Sequence, residues 1–333
     1  MSVGAYIFGC SGLELSKEEK SFFFETQPWG FILFSRNIKS RLQLRQLTSQ
    51  LRDAVGRNLP ILIDQEGGRV QRMRSPEWKE YWPALEQVRK TGSNAIRTMY
   101  LRNRLIAYDL QEVGIDVNCA PIADILRADT HPILANRCYS TSIDEVVQIS
   151  RAVANGLMDG GILPILKHIP GYGRAIVDGH EELPSVSERV DVLKETDFLA
   201  FKRLADLPIS MTAHVRFTDI DYLPATISKK IIKIIRDEIQ FKNLLITDDI
   251  SMSALTGSIS ERAELSIKAG CDIVLHCNGN LVEMARVAKV CGYLNGSSKQ
   301  RAEVALSCRK PSNNVNIEEV KSEFERSMHK VTS

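Results

Sequence analysis

The chain has 333 residues, of which 44% are hydrophobic and 25% are charged, and its formal net charge at pH 7 is +2. This composition is typical of a globular protein, and a chain of this length buries enough surface to fold without disulfides or a structural metal. The small net charge excludes the strongly basic surface that binds nucleic acid or an anionic membrane. We therefore expect neither nucleic acid nor a membrane as a partner.

The seven cysteines are odd in number, and no pair has the spacing of a zinc site. We expect reduced and mostly buried thiols, because free cysteine behaves as a small hydrophobic residue. The first residues, MSVGAYIFGCSG, lack the basic segment and the long apolar run of a signal peptide. No segment reaches the roughly 18 apolar residues of a membrane span. These features predict a cytoplasmic protein.

Eight short apolar segments recur along the chain and predict buried strands. Each segment is almost continuously apolar rather than alternating, which is typical of parallel strands that are covered on both faces. The predicted strands span residues 5–10, 30–35, 60–66, 116–121, 163–169, 208–214, 244–249 and 272–277.

Helical patterns lie between these strands, over residues 41–55, 94–114, 142–161, 188–205 and 228–240. Alternating strands and helices indicate βαβ units, and eight such strands favour an α/β fold that closes into a single (β/α)8 TIM-type barrel. No linker or change in composition occurs before residue 309. We therefore predict one catalytic barrel domain over residues 1–333, with 310–333 as a peripheral C-terminal tail or helix.

Polar residues follow several predicted strands at their carboxyl ends, where barrel enzymes carry their reacting groups. Charged side chains beside apolar strands are costly unless they are paired or used, so their convergence predicts a functional site. These residues are Asp64, Gln65 and Glu66 after strand three, Asp124 after strand four, Lys167 and His168 in strand five, His214 in strand six, and Asp248 and Asp249 in strand seven.

Three segments carry a resemblance to a known family: ILIDQEGGRVQRM (61–73), KHIPGYGRAIVDGHEELP (167–184) and LLITDDISMSAL (244–255). In this order they resemble glycoside hydrolase family 3, in the branch of bacterial β-N-acetylglucosaminidases that act in peptidoglycan recycling. The resemblance implies release of terminal N-acetylglucosamine from fragments that carry 1,6-anhydro-N-acetylmuramic acid, with or without peptide. We also expect a small carbohydrate or muropeptide substrate as the partner, and a monomer rather than an oligomer. Gly67 and Gly68 match no phosphate-binding or dinucleotide motif, and no pair of cysteines has the spacing of zinc ligands, so we expect neither a cofactor nor a metal.

The resemblance also assigns roles to individual residues. It implies that Asp248 is the nucleophile of a retaining mechanism, in which a carboxylate beneath the sugar forms a covalent glycosyl-enzyme. It implies that His180 is the proton donor, paired with Asp178, since a neighbouring carboxylate lets an imidazole carry a proton near neutral pH. The side chains that it implies for sugar binding are Asp64, Arg72, Arg137, Lys167 and His168.

Structural interpretations of some of these residues stay open. Asp248 or Asp249 could cap the following helix, and His168 could be a histidine of the core. Arg69 and Arg72 could form ion pairs across loops. The chain departs from the family pattern near the predicted acid, where Tyr172 replaces a second histidine and Arg174 stands where aspartate is common.

Three other functions also stay open. A histidine acid does not repel an incoming phosphate as a carboxylate would, so the same scaffold could be a phosphorylase that releases sugar 1-phosphate. Lys167, at a strand end of a barrel, could form a Schiff base as in aldolases. A barrel that binds sugar without catalysis is the fourth interpretation.

Overall fold

The computed structural model describes residues 2–177, 182–313 and 315–329. Eight parallel strands close into a barrel, in which each strand pairs with its sequence neighbours and the last pairs with the first. The strands are β1 (Gly4–Gly9), β2 (Pro28–Leu33), β3 (Ile61–Ile63), β4 (Val117–Asn118), β5 (Leu163–Ile169), β6 (Ile209–Thr212), β7 (Leu244–Asp249) and β8 (Ile273–His276). The predicted (β/α)8 barrel is therefore confirmed, and one of its strands overlaps each of the eight predicted segments, although the ends differ.

Helices cover the outside of the barrel. Those of the described residues are α1 (Lys17–Thr26), α2 (Arg41–Val55), α3 (Ala84–Thr91), α4 (Ala95–Glu112), α5 (Pro132–Ala135), α6 (Ile143–Asp159), α7 (Val190–Glu195), α8 (Asp197–Lys202), α9 (Lys229–Asp237), α10 (Ile259–Ala269), α11 (Leu281–Cys291), α12 (Gly296–Ser307) and α13 (Ile317–His329). Short 3-10 turns span Ser35–Asn37, Gly92–Asn94 and Ala225–Ile227.

Four of the five predicted helices are confirmed as α2, α4, α6 and α9. The fifth, over 188–205, is wrong as one helix. Thr196 has φ −124° and ψ −92°, which interrupts the helical path and separates α7 from α8.

The segment after β3 forms a small antiparallel hairpin, in which Gln65–Gly67 pairs with Val70–Gln71. The predicted strand over 60–66 is therefore two elements, and Asp64 lies at their junction. The side chains of Gln65 and Gln71 both donate a hydrogen bond to the carbonyl of Met73, at 2.9 Å each. These bonds fix the hairpin above the carboxyl end of the barrel.

Apolar side chains fill both the inside of the barrel and the layer under the helices. One cluster draws residues from all eight strands and forms the inside, for example Ile7, Leu62, Ile165 and Ile246. Residues that alternate with these along the strands pack outward against the helices, as Leu166 does. Because both faces are covered, the strands need the continuous apolar sequence that predicted them.

The C-terminal segment contributes α13, which packs on α3 and α4. Its Phe324 is buried, with its ring 6.1 Å from the ring of Tyr81, and its Glu323 pairs with Arg97 at 2.7 Å. Within the described part of the chain, no helix combines the length and the apolar character needed to cross a bilayer. All seven cysteines are free thiols, and five of them are buried.

Candidate active site

A cavity of about 210 Å³ opens among the loops at the carboxyl ends of the strands. This volume is below the roughly 300–1,000 Å³ of pockets for drug-sized ligands, and it suits a single sugar ring. The six described residues that the sequence assigned to the site all line it, namely Asp64, Arg72, Arg137, Lys167, His168 and Asp248. The fold therefore brings together residues from four different strands and loops.

A continuous chain of charges runs along one side of this cavity. Arg72 donates to Asp64 at 3.1 Å, and Lys167 lies 2.9 Å from Asp64 on the other side. The same Lys167 Nζ lies 2.6 Å from Glu66, which also binds Arg137 through two nitrogens, at 2.8 and 3.0 Å. We call these five residues the ion chain; it holds three positive and two negative charges.

Burial and mutual attraction act in opposite directions on these groups. Burial alone would raise the pKa of Glu66, but the charges of Arg137 and Lys167 outweigh it and lower that pKa to about 2. The pKa of Asp64 is lowered in the same way by Lys167 and Arg72. Burial opposes the charge of Lys167, but the two carboxylates raise its pKa above the ordinary value. All three groups are therefore charged near neutral pH.

The charged state of Lys167 bears on the Schiff-base alternative. An amine attacks a carbonyl only when it is unprotonated. Lys167 is 2% exposed and bound to two carboxylates, which stabilise the ammonium form. Its surroundings therefore favour a role in hydrogen bonding over one as a nucleophile.

His168 is held by a buried aspartate to which sequence reasoning gave no role. Asp124 is fully buried, and its carboxylate lies 2.7 Å from Nδ1 of His168 and accepts the backbone N–H of Tyr172 at 2.7 Å. This leaves Nε2 of His168 as the ring nitrogen that is available to a ligand in the cavity. The interpretation of His168 as a residue of the core alone therefore does not fit its position in the cavity wall.

The two aspartates at the end of β7 differ in their surroundings. Asp249 accepts hydrogen bonds from the backbone of Ser251 and Cys277, at 3.0 and 3.2 Å, and from the Ser251 hydroxyl at 2.6 Å. Among the described residues, Asp248 accepts one hydrogen bond, from the backbone N–H of Asp249 at 2.8 Å. Asp249 thus stabilises the turn after β7, whereas Asp248 has an oxygen left for chemistry in the cavity.

His214 lies behind these aspartates and does not line the cavity. Its Nε2 donates to the backbone carbonyl of Asp249 at 2.9 Å, and its Nδ1 lies 2.7 Å from the hydroxyl of Thr226. Burial lowers the pKa of His214, so the ring is neutral and Nδ1 accepts from Thr226. His214 therefore supports the end of β7 rather than a substrate.

Two arginines, Arg72 and Arg69, lie at the mouth of the cavity and differ in whether a carboxylate of the described residues pairs with them. The Arg72 guanidinium is paired with Asp64 and lies 5.3 Å from the ring of Phe34. Arg69, at the tip of the hairpin, is exposed and lines the cavity, and within the described residues no carboxylate pairs with it. The interpretation of Arg69 as a loop ion pair therefore does not match its surroundings, whereas Arg72 does form such a pair.

The predicted proton donor, His180, and its partner Asp178 lie outside the described residues. The segment before them is fixed to the outer helices through Arg174, which binds Asp197 at 2.8 Å and Glu188 at 2.9 Å. An arginine therefore fits at position 174 because two carboxylates face it there. Tyr172, the other departure from the family pattern, lines the cavity and packs edge-on against His168.

Sequence reasoning placed Glu66 and Asp124 among the polar residues at the strand ends but gave neither of them a role in the site. Both were visible as charged residues beside apolar strands, but neither lines the cavity, and each acts through another side chain. Among residues 2–177, 182–313 and 315–329, no group of three histidine, cysteine or acidic side chains is placed to hold a metal ion.

Residues 7–306 match the glycosyl hydrolase family 3 N terminal domain. A β-hexosaminidase of Alkalilimnicola ehrlichii is 35% identical over 84% of this chain and 82% of its own length, and one of Idiomarina loihiensis is 32% identical over 93% and 94%. The crystal structure of NagZ from Neisseria gonorrhoeae in complex with N-trifluoroacetyl-D-glucosamine is similar at TM-score 0.85 and 28% identity, over 99% of this chain and 98% of that one. The predicted family is therefore confirmed, and the chain belongs to glycosyl hydrolase family 3.

Proposed function

We propose that this protein is a retaining exo-β-N-acetylglucosaminidase that releases terminal N-acetylglucosamine from cell-wall fragments in the cytoplasm. The observation that carries the proposal is the position of Asp248, in a sugar-sized cavity whose wall holds the ion chain. The β-hexosaminidase relatives and the sugar analogue bound to the Neisseria protein support the same class of substrate.

The proposed reaction has two steps. In the first, a carboxylate oxygen of Asp248 bonds to the anomeric carbon, the glycosidic bond breaks, and the leaving oxygen takes a proton from His180, which Asp178 supports. In the second, water attacks the same carbon and gives its proton to His180, and the carboxylate of Asp248 leaves. Two inversions at one carbon retain the β configuration in the product.

The ion chain suits the first step because it binds the sugar without competing for the anomeric carbon. Asp64 accepts hydrogen bonds from sugar hydroxyls, while Arg72, Lys167 and Arg137 donate to hydroxyl and acetamide oxygens. All four are already ordered by their partners, so binding costs little further side-chain entropy. The small cavity leaves room for one terminal sugar, which supports exo-cleavage.

The positive charge of Arg69 at the mouth of the cavity favours an acidic cell-wall fragment as the substrate. Muramic acid carries a carboxylate on its lactyl group, or on its peptide when a peptide is attached. Arg69 is exposed at the rim of the cavity and has no carboxylate partner within the described chain. We propose that it meets the acidic group of the leaving sugar, just outside the cavity.

A comparison of chromogenic substrates tests the central activity. The nitrophenyl β-N-acetylglucosaminide should be cleaved with a kcat/KM at least ~10²-fold above that of the β-glucoside, because the acetamide contacts are lost in the latter. The product should be free sugar of β configuration, seen by NMR before it mutarotates, and the rate should not depend on added phosphate. Release of sugar 1-phosphate would instead identify a phosphorylase, and preference for the glucoside would overturn the proposal.

Replacing Arg69 by glutamine tests the acidic leaving group. KM for a substrate whose leaving sugar carries a carboxylate should rise roughly 1.5- to 5-fold, the range for an exposed ion pair, and the increase should shrink at high salt. KM for the neutral nitrophenyl substrate should stay unchanged. Arg286→Gln on the outer helix α11 removes the same charge from an exposed position away from the cavity and serves as the control. An equal change in both variants would refute a specific role for Arg69.

A further inference from the structure

Of the five residues in the ion chain, four line the cavity and Glu66 does not. Glu66 lies behind the wall, where it shares a second, very small cavity of about 10 Å³ with Arg137 and Tyr139. We propose that Glu66 is a positioning residue, which fixes Lys167 and Arg137 in the places where they bind the sugar. This inference rests on the proposed function in that it takes both cations as sugar ligands.

The contacts of Lys167 show why a second carboxylate is needed. An ammonium group has three N–H donors. One is directed to Asp64 at 2.9 Å, and the ammonium also forms an ion pair with Glu66 at 2.6 Å, so its position is fixed from two sides. With Asp64 alone, the group would rotate about a single hydrogen bond and its remaining donors would have no fixed direction.

Glu66 fixes Arg137 more firmly still. The Nε and one terminal nitrogen of the guanidinium bind the two carboxylate oxygens in parallel, at 3.0 and 2.8 Å. Such bidentate pairs define the plane of the guanidinium as well as its position. The donors on its other edge therefore remain available at the cavity wall.

The charge of Glu66 matters as much as its geometry. Lys167 and Arg137 carry like charges on neighbouring sides of one cavity, and the side chain of Lys167 is 2% exposed. Repulsion between such charges is strong where water is excluded. The carboxylate between them offsets this repulsion and keeps both at the wall.

The backbone of Glu66 is itself held rigidly. Its carbonyl accepts a hydrogen bond from Arg102, which is fully buried and also donates to the Trp82 carbonyl and the Gln87 side chain, at 2.9 Å each. Gly67 follows with φ +107°, and a Cβ there would lie 1.8 Å from a nitrogen of Arg102. The turn therefore needs glycine, and it presents the Glu66 side chain from a fixed point.

Glu66→Gln tests the inference because it keeps the shape and removes the charge. KM for the nitrophenyl β-N-acetylglucosaminide should rise at least ~10-fold, since a charge-assisted contact is worth that much, while kcat changes less than ~3-fold. The dissociation constant for free N-acetylglucosamine, measured by calorimetry, should rise by the same factor. Calorimetry keeps the test separate from the proposed function, because it reports on Glu66 even if wild type shows no hydrolysis.

Asp272 offers a matched control. It is also a buried carboxylate between two arginines, Arg236 at 2.8 Å and Arg301 at 3.0 Å, but it precedes β8 at the opposite end of the barrel. Asp272→Asn should lower the melting temperature without changing KM or sugar affinity. If Glu66→Gln fails to fold, Glu66→Asp carries the test, since it keeps the charge but cannot reach both cations. Unchanged sugar affinity in a folded Glu66 variant, or an equal loss in Asp272→Asn, would overturn the inference.

Discussion

Asp248→Ala is expected to abolish the covalent step and to lower kcat at least ~10³-fold, because no other group in a retaining mechanism bonds to the anomeric carbon. The melting temperature should stay close to that of wild type, since Asp248 accepts one hydrogen bond from its own neighbour. Azide is small enough to enter the vacated space and attack from the same side. It should restore turnover and give the α-glycosyl azide, which NMR identifies.

Asp249 is the matched control for this experiment. Its carboxylate accepts three hydrogen bonds in the turn after β7, so Asp249→Ala should reduce stability by about 1 kcal/mol or more. It should retain far more activity than Asp248→Ala, and azide should not increase that activity. If Asp249→Ala is the variant that azide rescues, the nucleophile has been assigned to the wrong aspartate.

Lys167→Met is expected to have the second largest effect, on both binding and stability. It removes the cation between Asp64 and Glu66, so that Asp64 keeps Arg72 and Glu66 keeps Arg137 as its cationic partner. Loss of the charge-assisted contacts of a buried ammonium should cost roughly 1.5–3 kcal/mol, which chemical denaturation measures directly. Loss of a charge-assisted sugar contact should also lower kcat/KM at least ~10²-fold.

The stability deficit of this variant should depend on pH in a defined direction. In wild type the pKa of Glu66 is lowered to about 2, so its contribution is present at neutral pH and is lost only in acid, below the unfolded value of about 4.3. Without Lys167, Arg137 and Arg72 still lower the carboxyl pKa values, but by less than in wild type. The difference in stability between variant and wild type is therefore fully present above the unfolded value of about 4.3 and should shrink as the pH falls from there towards about 2.

A surface lysine shows how much of this effect comes from burial. Lys194 pairs with Glu238 at 2.7 Å, but both side chains are more than 40% exposed. Lys194→Met should cost less than about 1 kcal/mol, as exposed ion pairs do. Equal losses in the two lysine variants, or a Lys167→Met deficit that grows as the pH falls below about 4, would contradict the role assigned to the ion chain.

The strands could be predicted from sequence because a buried parallel strand has a simple signature. Both of its faces are covered, so segment 163–169 is apolar except for Lys167 and His168 near its carboxyl end. Helix α2 could also be predicted from sequence, because its leucines recur on one face. The predicted helix over 188–205 failed because Thr196 interrupts it, and no glycine or proline marks that position.

Most of the site residues that could be predicted from the sequence belong to a recognisable segment and line the cavity. Asp64, Lys167 and Asp248 meet both conditions. Glu66 and Asp124 act on other side chains, and their partners lie 71 and 44 positions away in the chain. Such pairings follow from the closed barrel, and one sequence does not reveal them.

The last helix, α13, lies on the outside of the barrel but contacts a residue that supports the wall of the cavity. Phe324 covers Tyr81, whose backbone N–H and carbonyl both bind the hairpin, at Gln71 and Gly68. The hairpin is thus supported by Tyr81, which in turn packs against Phe324 of α13. We therefore expect that a change that loosens the contact between Phe324 and Tyr81 also loosens the hairpin and weakens sugar binding, although it lies outside the cavity.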